Sequence, residues 1–213
     1  MSRMATFYFD VISHYTYLAF KQLPALEKYA QIEYRPVLFA GFLNHYGHKG
    51  PAEIESKRRF TFKHTAWMAE RMGIPYKQPP AHPFNPLRAL RLLTALGPSR
   101  EQTAACFHAI WVEGHLPDDA EGWEAIQKAV GCTDGDSLIN DPVVKAELVA
   151  AGEQAISDGA FGVPTIVIDD NIFWGLDALP MAQDYLEDPT LFDRPELRVV
   201  DDMPFSARRP QGQ

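Results

Sequence analysis

Cysteine is nearly missing from this chain. Cys106 and Cys132 are the only two in 213 residues, and no C-x-x-C occurs. A disulfide framework and a structural zinc site built mainly from thiolates are therefore excluded. Both cysteines read as buried small hydrophobes, the usual fate of a free thiol. No stretch approaches the roughly 18–20 apolar residues that span a bilayer, and there is no Gly-rich phosphate loop and no H-E-x-x-H pattern. Positive charge is in deficit, 20 Lys+Arg against 28 Asp+Glu for a net charge of −8, which argues against nucleic acid or an anionic membrane as the main partner. The opening Met1-Ser2-Arg3-Met4-Ala5-Thr6 has no signal-peptide architecture, so a cytoplasmic protein is expected. The seven histidines form no spaced ligand set, and no metal is expected.

What is present is the material of a globular core: 46% hydrophobic residues against 23% charged. Residues 6–11 form a short aromatic and β-branched run, read as a buried strand. A helical pattern begins at Ser13, with Tyr17, Leu18, Leu23 and Leu26 able to share one face, and the alternation in 31–38 predicts a second strand. Residues 40–56, rich in Gly, His and Asn, read as a loop or an irregular helix start. A helix is predicted from Glu53 to Met72, ended by Gly73-Ile74-Pro75. The proline-rich segment 76–86 must be an extended connector. Helical patterns then follow at 87–96, 100–113, 118–130, 135–140 and 143–158. Strand signals return at 164–169 and 171–174, with Asp169-Asp170-Asn171 as a hairpin turn, and a last helix at 178–187 starts from Asp177.

The order is βαβ, a helical block, then ββα. It predicts an α/β thioredoxin-like fold with a helical subdomain inserted between its halves. The expected boundaries are 1–40 plus 150–190 for the thioredoxin-like part and 41–149 for the insertion. A C-terminal tail, 191–213, is expected to be partly disordered from Ser206.

Two local motifs carry chemistry. Where the first strand hands over to the first helix, the segment reads Ser13-His14-Tyr15-Thr16. In thioredoxin-like proteins this turn holds C-x-x-C, because the helix N-terminus stabilises a thiolate. With no sulfur there, a dithiol–disulfide cycle is impossible at this turn. What remains is an anion-friendly helix start and a hydroxyl donor, able to hold the thiolate of a ligand. Ser13 as a mere helix cap is the alternative. His14 admits a role as general base or as a solvent-facing turn residue. The second motif, Gly162-Val163-Pro164-Thr165, leads straight into a strand. A cis Pro164 would turn the Val163 backbone outward to pair with an extended peptide, whereas a trans proline on an edge strand is the bland reading.

The run Tyr8-Phe9-Asp10-Val11-Ile12-Ser13-x-Tyr15-x-Tyr17-Leu18 and the later Gly159-Ala160-Phe161-Gly162-Val163-Pro164 resemble 2-hydroxychromene-2-carboxylate isomerases and kappa-class glutathione transferases. So do Phe39-Ala40-Gly41 through Gly50-Pro51 to Lys57-Arg58, and Pro83-Phe84-Asn85-x-Leu87-x-Ala89-Leu90-Arg91. These families belong to the disulfide-oxidoreductase A-like branch of the thioredoxin fold. The resemblance covers residues 5–188 and implies glutathione as cofactor. Ser13 matches the serine that hydrogen-bonds its sulfur, and Val163, before Pro164, the residue whose backbone pairs with its cysteinyl part. Trp174-Gly175-Leu176-Asp177 matches a Phe-Gly-Ser-Asp turn whose aspartate binds the γ-glutamyl end. Asp177 keeps that carboxylate, which also suits helix capping, while Leu176 removes a hydroxyl. Lys57 matches a basic residue near glutathione or the substrate carboxylate, within a run (Lys57, Arg58, Arg59, Lys63) that reads equally as a solvated helix face. His48 stands where some kappa enzymes carry an asparagine.

The chain departs from the pattern on its substrate side. Phe60, His64 and Trp67 stand where the isomerases carry Tyr, Asp and Arg, and His14 replaces a proline. His14, Phe60, His64 and Asn85 are the substrate candidates. The resemblance implies a homodimeric isomerase that uses glutathione on a small aromatic carboxylate. The alternatives are a kappa-like transferase or peroxidase and a non-enzymatic thioredoxin-fold binding module.

Overall fold

A computed structural model describes residues 3–200, 202–204 and 206–207. β1 (Arg3–Phe9), α1 (His14–Gln22) and β2 (Ala30–Pro36) form the opening βαβ unit. Helices α2 (Phe39–Tyr46), α3 (Glu55–Met72), α4 (Leu87–Leu96), α5 (Arg100–His108), α6 (Ala120–Ala129), α7 (Gly135–Leu138) and α8 (Pro142–Ser157) follow without an intervening strand. β3 (Thr165–Ile168), β4 (Asn171–Trp174) and α9 (Leu179–Glu187) close the fold, and α10 (Pro195–Arg198) lies beyond it. The sheet order is β2-β1-β3-β4, with β1 parallel to β2 and antiparallel to β3. This is the thioredoxin-like arrangement the element order predicts. The part of the expected disordered tail at 208–213 lies outside the described residues.

Alternation along the strands divides the interior. Ala5, Phe7 and Phe9 of β1, with Ile166 and Ile168 of β3, enter the larger core with α1 and the helical block. Tyr8 and Val167 point the other way, into a smaller core with Val37, Phe42, Ala155 and Ala160. A two-residue hairpin joins β3 to β4 and pairs Ile168 with Asn171, placing Asp169 at φ 54.

Three segments differ from the sequence expectation. Residues 39–46 are a helix, α2, although only Phe42 among them is buried; one anchor cannot produce a readable period. Helix α3 starts at Glu55 rather than Glu53, because Pro51–Glu53 forms a separate 3₁₀ turn. The predicted helix 100–113 gives way at Ala109–Glu113 to a π turn ended by Gly114 at φ 89. That extra residue per turn swings the fully buried Trp111 toward the β1–α1 turn. No helix among the described residues is long and apolar enough to cross a membrane.

Candidate active site at the Ser13 turn

The site is built on the four residues between β1 and α1. Ser13 caps α1 with extended backbone (φ −89, ψ 114), and its Oγ accepts the Thr16 N–H at 3.2 Å. This bond occupies an oxygen lone pair and leaves the hydroxyl proton available to a ligand, so capping and anion binding coexist. The N–H groups of His14 and Tyr15 meet no protein acceptor among the described residues and form the positive end of α1.

The rest of the turn is tied down. The Ser13 N–H donates to the Asp10 carbonyl (3.2 Å) and the Ile12 N–H to Asp10 Oδ1 (3.0 Å). The Trp111 indole N–H donates to the Val11 carbonyl (2.9 Å). His82 Nε2 lies 2.9 Å from the Ile12 carbonyl; since a carbonyl only accepts, that nitrogen carries the proton. The second oxygen of Asp10 accepts the Phe39 N–H (2.8 Å) and joins the turn to the start of α2.

Asp10 is fully buried, and burial pushes its carboxyl up to about 7 although two N–H donors pull it down. A folded value above the unfolded 3.8 means that ionisation costs stability. The cost is absent below the unfolded value, builds as pH rises to about 7, and is constant above. Asp10→Asn imitates the protonated form, so its melting temperature minus that of the native protein should rise from pH 4 to about 7 and then level. A flat difference would show an ordinary carboxyl.

His14 is not a solvent-facing turn residue: it is 6% exposed. Its ring stacks on His82 (5.6 Å, 18°) and meets Phe62 and Trp111 edge-on. Desolvation, then the neighbouring His82, lowers its pKa to about 3, so the ring is neutral at physiological pH and a poor base. Its Nδ1 is buried without a partner among the described residues.

Antiparallel pairing of Tyr8 with Thr165 brings the end of β1 beside the start of β3, so the turn that follows β1 and the Val163–Pro164 segment that precedes β3 lie at the same end of the sheet. The Val163–Pro164 bond is cis, as expected. The Val163 N–H and C=O make no hydrogen bond among the described residues, although the residue is mostly buried. An extended ligand can pair with them. Tyr46 helps to seat this loop, its hydroxyl donating to the Ala160 carbonyl at 3.2 Å, and exposed His48 stacks on the Tyr46 ring.

Past β4, Leu176 packs half-buried against the main core, and Asp177 is exposed. The capping alternative for Asp177 fails: neither the 3₁₀ turn Leu176–Ala178 nor α9 has a side-chain cap, and the Asp177 carboxylate has no hydrogen-bond or ion-pair partner among the described residues. It bends over Gly175, whose backbone (φ 94, ψ 164) lies in a region reserved for glycine. A Cβ at Gly175 would stand 2.5 Å from Asp177 Oδ1. Gly175→Ala is expected to lower stability by about 1–3 kcal/mol, measured by urea denaturation; an unchanged midpoint would mean that the turn relaxes freely.

Helix α3 carries the substrate candidates. Exposed Phe60 stacks on His64 (5.3 Å) and His64 on exposed Trp67 (5.9 Å), while the Tyr15 hydroxyl bonds His64 Nδ1 at 3.0 Å. The stripe is thereby fastened two residues from Ser13. The basic run is divided: Arg59 pairs with Glu55 and Arg58 donates to the His82 carbonyl, leaving exposed Lys57 and Lys63 without a salt bridge among the described residues. Asn85 is not brought to the turn by any side-chain bond. Its Oδ1 accepts the Leu87 N–H (3.0 Å) at the start of α4, and its own N–H donates to Asp118. Cys106 and Cys132 are both buried free thiols, and burial pushes the Cys106 thiol up to about 12. No cluster of three or more metal-ligating side chains occurs among the described residues.

Sequence reasoning missed Asp10, His82 and Trp111. Asp10 lies within the Tyr8–Leu18 motif, where nothing in the spacing assigns it a role. The other two stand 70 and 100 positions from the carbonyls they bind, and no local pattern announces such a pairing.

Comparison with known proteins agrees with this fold. Residues 5–187 match the model of the DSBA-like thioredoxin domain. The chain is 33% identical over 197 residues to 2-hydroxychromene-2-carboxylate isomerase of Sphingobium xenophagum, covering 88% of this chain and 100% of that one. It is 24% identical over 213 residues to glutathione S-transferase kappa 2 of Caenorhabditis elegans, with 88% and 93% covered. A solved 2-hydroxychromene-2-carboxylate isomerase superposes with a TM-score of 0.76 at 22% identity, covering 94% of this chain and 100% of that structure. The chain therefore belongs to the DSBA-like thioredoxin domain family and, within it, to the enzymes formed by the 2-hydroxychromene-2-carboxylate isomerases and kappa-class glutathione transferases.

Proposed function

We propose that the protein is a glutathione-dependent isomerase of a 2-hydroxychromene-2-carboxylate-like substrate. One observation carries the reading: a serine hydroxyl at a helix start and the uncommitted backbone of Val163 lie at the same end of the sheet, and both protein thiols are buried elsewhere. The residues present fit a γ-glutamyl tripeptide thiol. Ser13 donates its hydroxyl proton to the sulfur, and the free His14 and Tyr15 N–H groups add to the positive potential there. Val163 pairs with the cysteinyl backbone, and the uncommitted Asp177 carboxylate takes the α-ammonium group. When bound, glutathione supplies the thiolate nucleophile that adds reversibly to an unsaturated substrate. On the substrate side, Lys57 holds a carboxylate and Phe60 and His64 offer ring faces. His48, stacked on Tyr46, borders the loop that holds the ligand. An acidic chain with no membrane-length helix among the described residues suits a cytoplasmic enzyme, and the resemblance extends to a homodimer.

The test is turnover of 2-hydroxychromene-2-carboxylate with a count of glutathione before and after. Dependence on glutathione with full recovery is expected. Stoichiometric consumption would assign the protein to transferase chemistry instead. Calorimetry showing no glutathione binding at millimolar concentration would leave only a binding module.

A further inference from the structure

The turn that carries Ser13 is held from within by Asp10 and from outside by the helical block. Two carbonyls in succession, Val11 and Ile12, are held by ring N–H groups from far along the chain, Trp111 on the π turn and His82 in the proline-rich connector. We infer that Trp111 and His82 are positioning residues for the reaction: their N–H groups set where the Ser13 hydroxyl and the first N–H groups of α1 point. The inference rests on the reading of Ser13 as the partner of the glutathione sulfur.

Both donors are held in place before they hold the turn. Trp111 is completely buried, stacked on Tyr76 (5.9 Å, 12°) and Tyr17 (6.5 Å, 17°), and its own carbonyl accepts the Lys77 N–H at 2.7 Å. The His82 carbonyl accepts from Arg58 Nη2 (3.0 Å), while its ring lies against His14 and edge-on to Phe62 and Phe84. Arg58 belongs to α3, so the helix bearing Phe60 and His64 is connected to Ser13 through His82 and Ile12. A hydroxyl donor contributes only if its proton lies along the line to the sulfur, and a displacement of about 1 Å can cost on the order of a hundredfold in rate. Packing alone does not require these two N–H groups, since phenylalanine and leucine would fill the space. The Trp111 N–H is needed because Val11 is fully buried and its carbonyl has no access to water.

The experiment compares Trp111→Phe, His82→Leu and His82→Gln with Ser13→Ala and the native protein. Far-ultraviolet circular dichroism first establishes that each is folded at the assay temperature. The readouts are the pKa of the bound glutathione thiol, followed by thiolate absorbance, and kcat against KM. In Trp111→Phe and His82→Leu the bound thiol should titrate closer to free glutathione, and kcat should fall on the order of tenfold to a hundredfold with KM little changed. His82→Gln, which keeps a donor at the position of Nε2, should restore most of both. A purely structural role would lower the melting temperature but leave the thiol pKa of the folded protein where it was. Folded Trp111→Phe and His82→Leu that keep the native thiol pKa and kcat would overturn the inference. If Ser13→Ala also leaves the thiol pKa unmoved, the glutathione reading is what has failed. If Ser13→Ala shifts it and the other variants do not, that reading stands and the positioning role falls.

Discussion

Ser13→Ala is expected to lower glutathione-dependent turnover on the order of a hundredfold or more, the usual cost of removing one preorganised donor to a developing or bound anion. A hundredfold corresponds to about 2.7 kcal/mol of barrier. The substitution also removes the acceptor of the Thr16 N–H, and losing such a cap lowers stability by about 1 kcal/mol. The two effects separate cleanly. Ser13→Asp keeps a capping oxygen and, ionised, presents no donor, so it should melt near the native protein yet turn over no faster than Ser13→Ala. Ser13→Thr retains both oxygen and proton and should recover much of the rate. Steady-state kinetics with saturating glutathione decides the matter, and an alanine variant within twofold of native turnover would exclude the serine from the chemistry.

The second large effect falls on stability. Trp111→Ala should destabilise the protein by about 3–5 kcal/mol, the range for truncating a large buried aromatic. Here the cavity would open among Tyr17, Tyr76, Phe84 and His82, side chains from α1, the connector and the segment before α4. The Val11 carbonyl would lose its donor as well, adding the cost of a buried unsatisfied acceptor. At this chain length about 2–4 °C of melting temperature accompanies each kcal/mol. Urea unfolding gives the measurement, and a midpoint close to native would mean that the cluster collapses to fill the space.

The sequence was legible where periodicity or backbone chemistry acts locally. The βαβ and ββα halves follow from short apolar strands and turn residues. The bounds of α4 coincide with the predicted 87–96, because its apolar face is deeply buried and Gly97 ends it at φ 62. The helix start at Ser13 and the cis bond before Pro164 were likewise readable, each from one residue type in one setting. Helix α2 was not, because seven of its eight residues are partly or wholly solvent-exposed and so free of a periodic constraint. His14 was misjudged for a different reason. A histidine in a turn is ordinarily wet, and only the arrival of His82, Phe62 and Trp111 from the helical block encloses it. Asp177 illustrates the opposite error, since an aspartate before a helix invites a capping role that Gly175 and the 3₁₀ turn make unnecessary. In each case the missing information was tertiary.

The burial of both thiols has a consequence for how the protein ages. A relative with C-x-x-C at its helix start is converted by a burst of peroxide into a disulfide and waits for a reductant. Here the oxidisable sulfur at the site would belong to a molecule that dissociates, while Cys106 and Cys132 are shielded by the core. Oxidative damage at the site would thus leave with the ligand, and fresh ligand would renew it without repair of the chain.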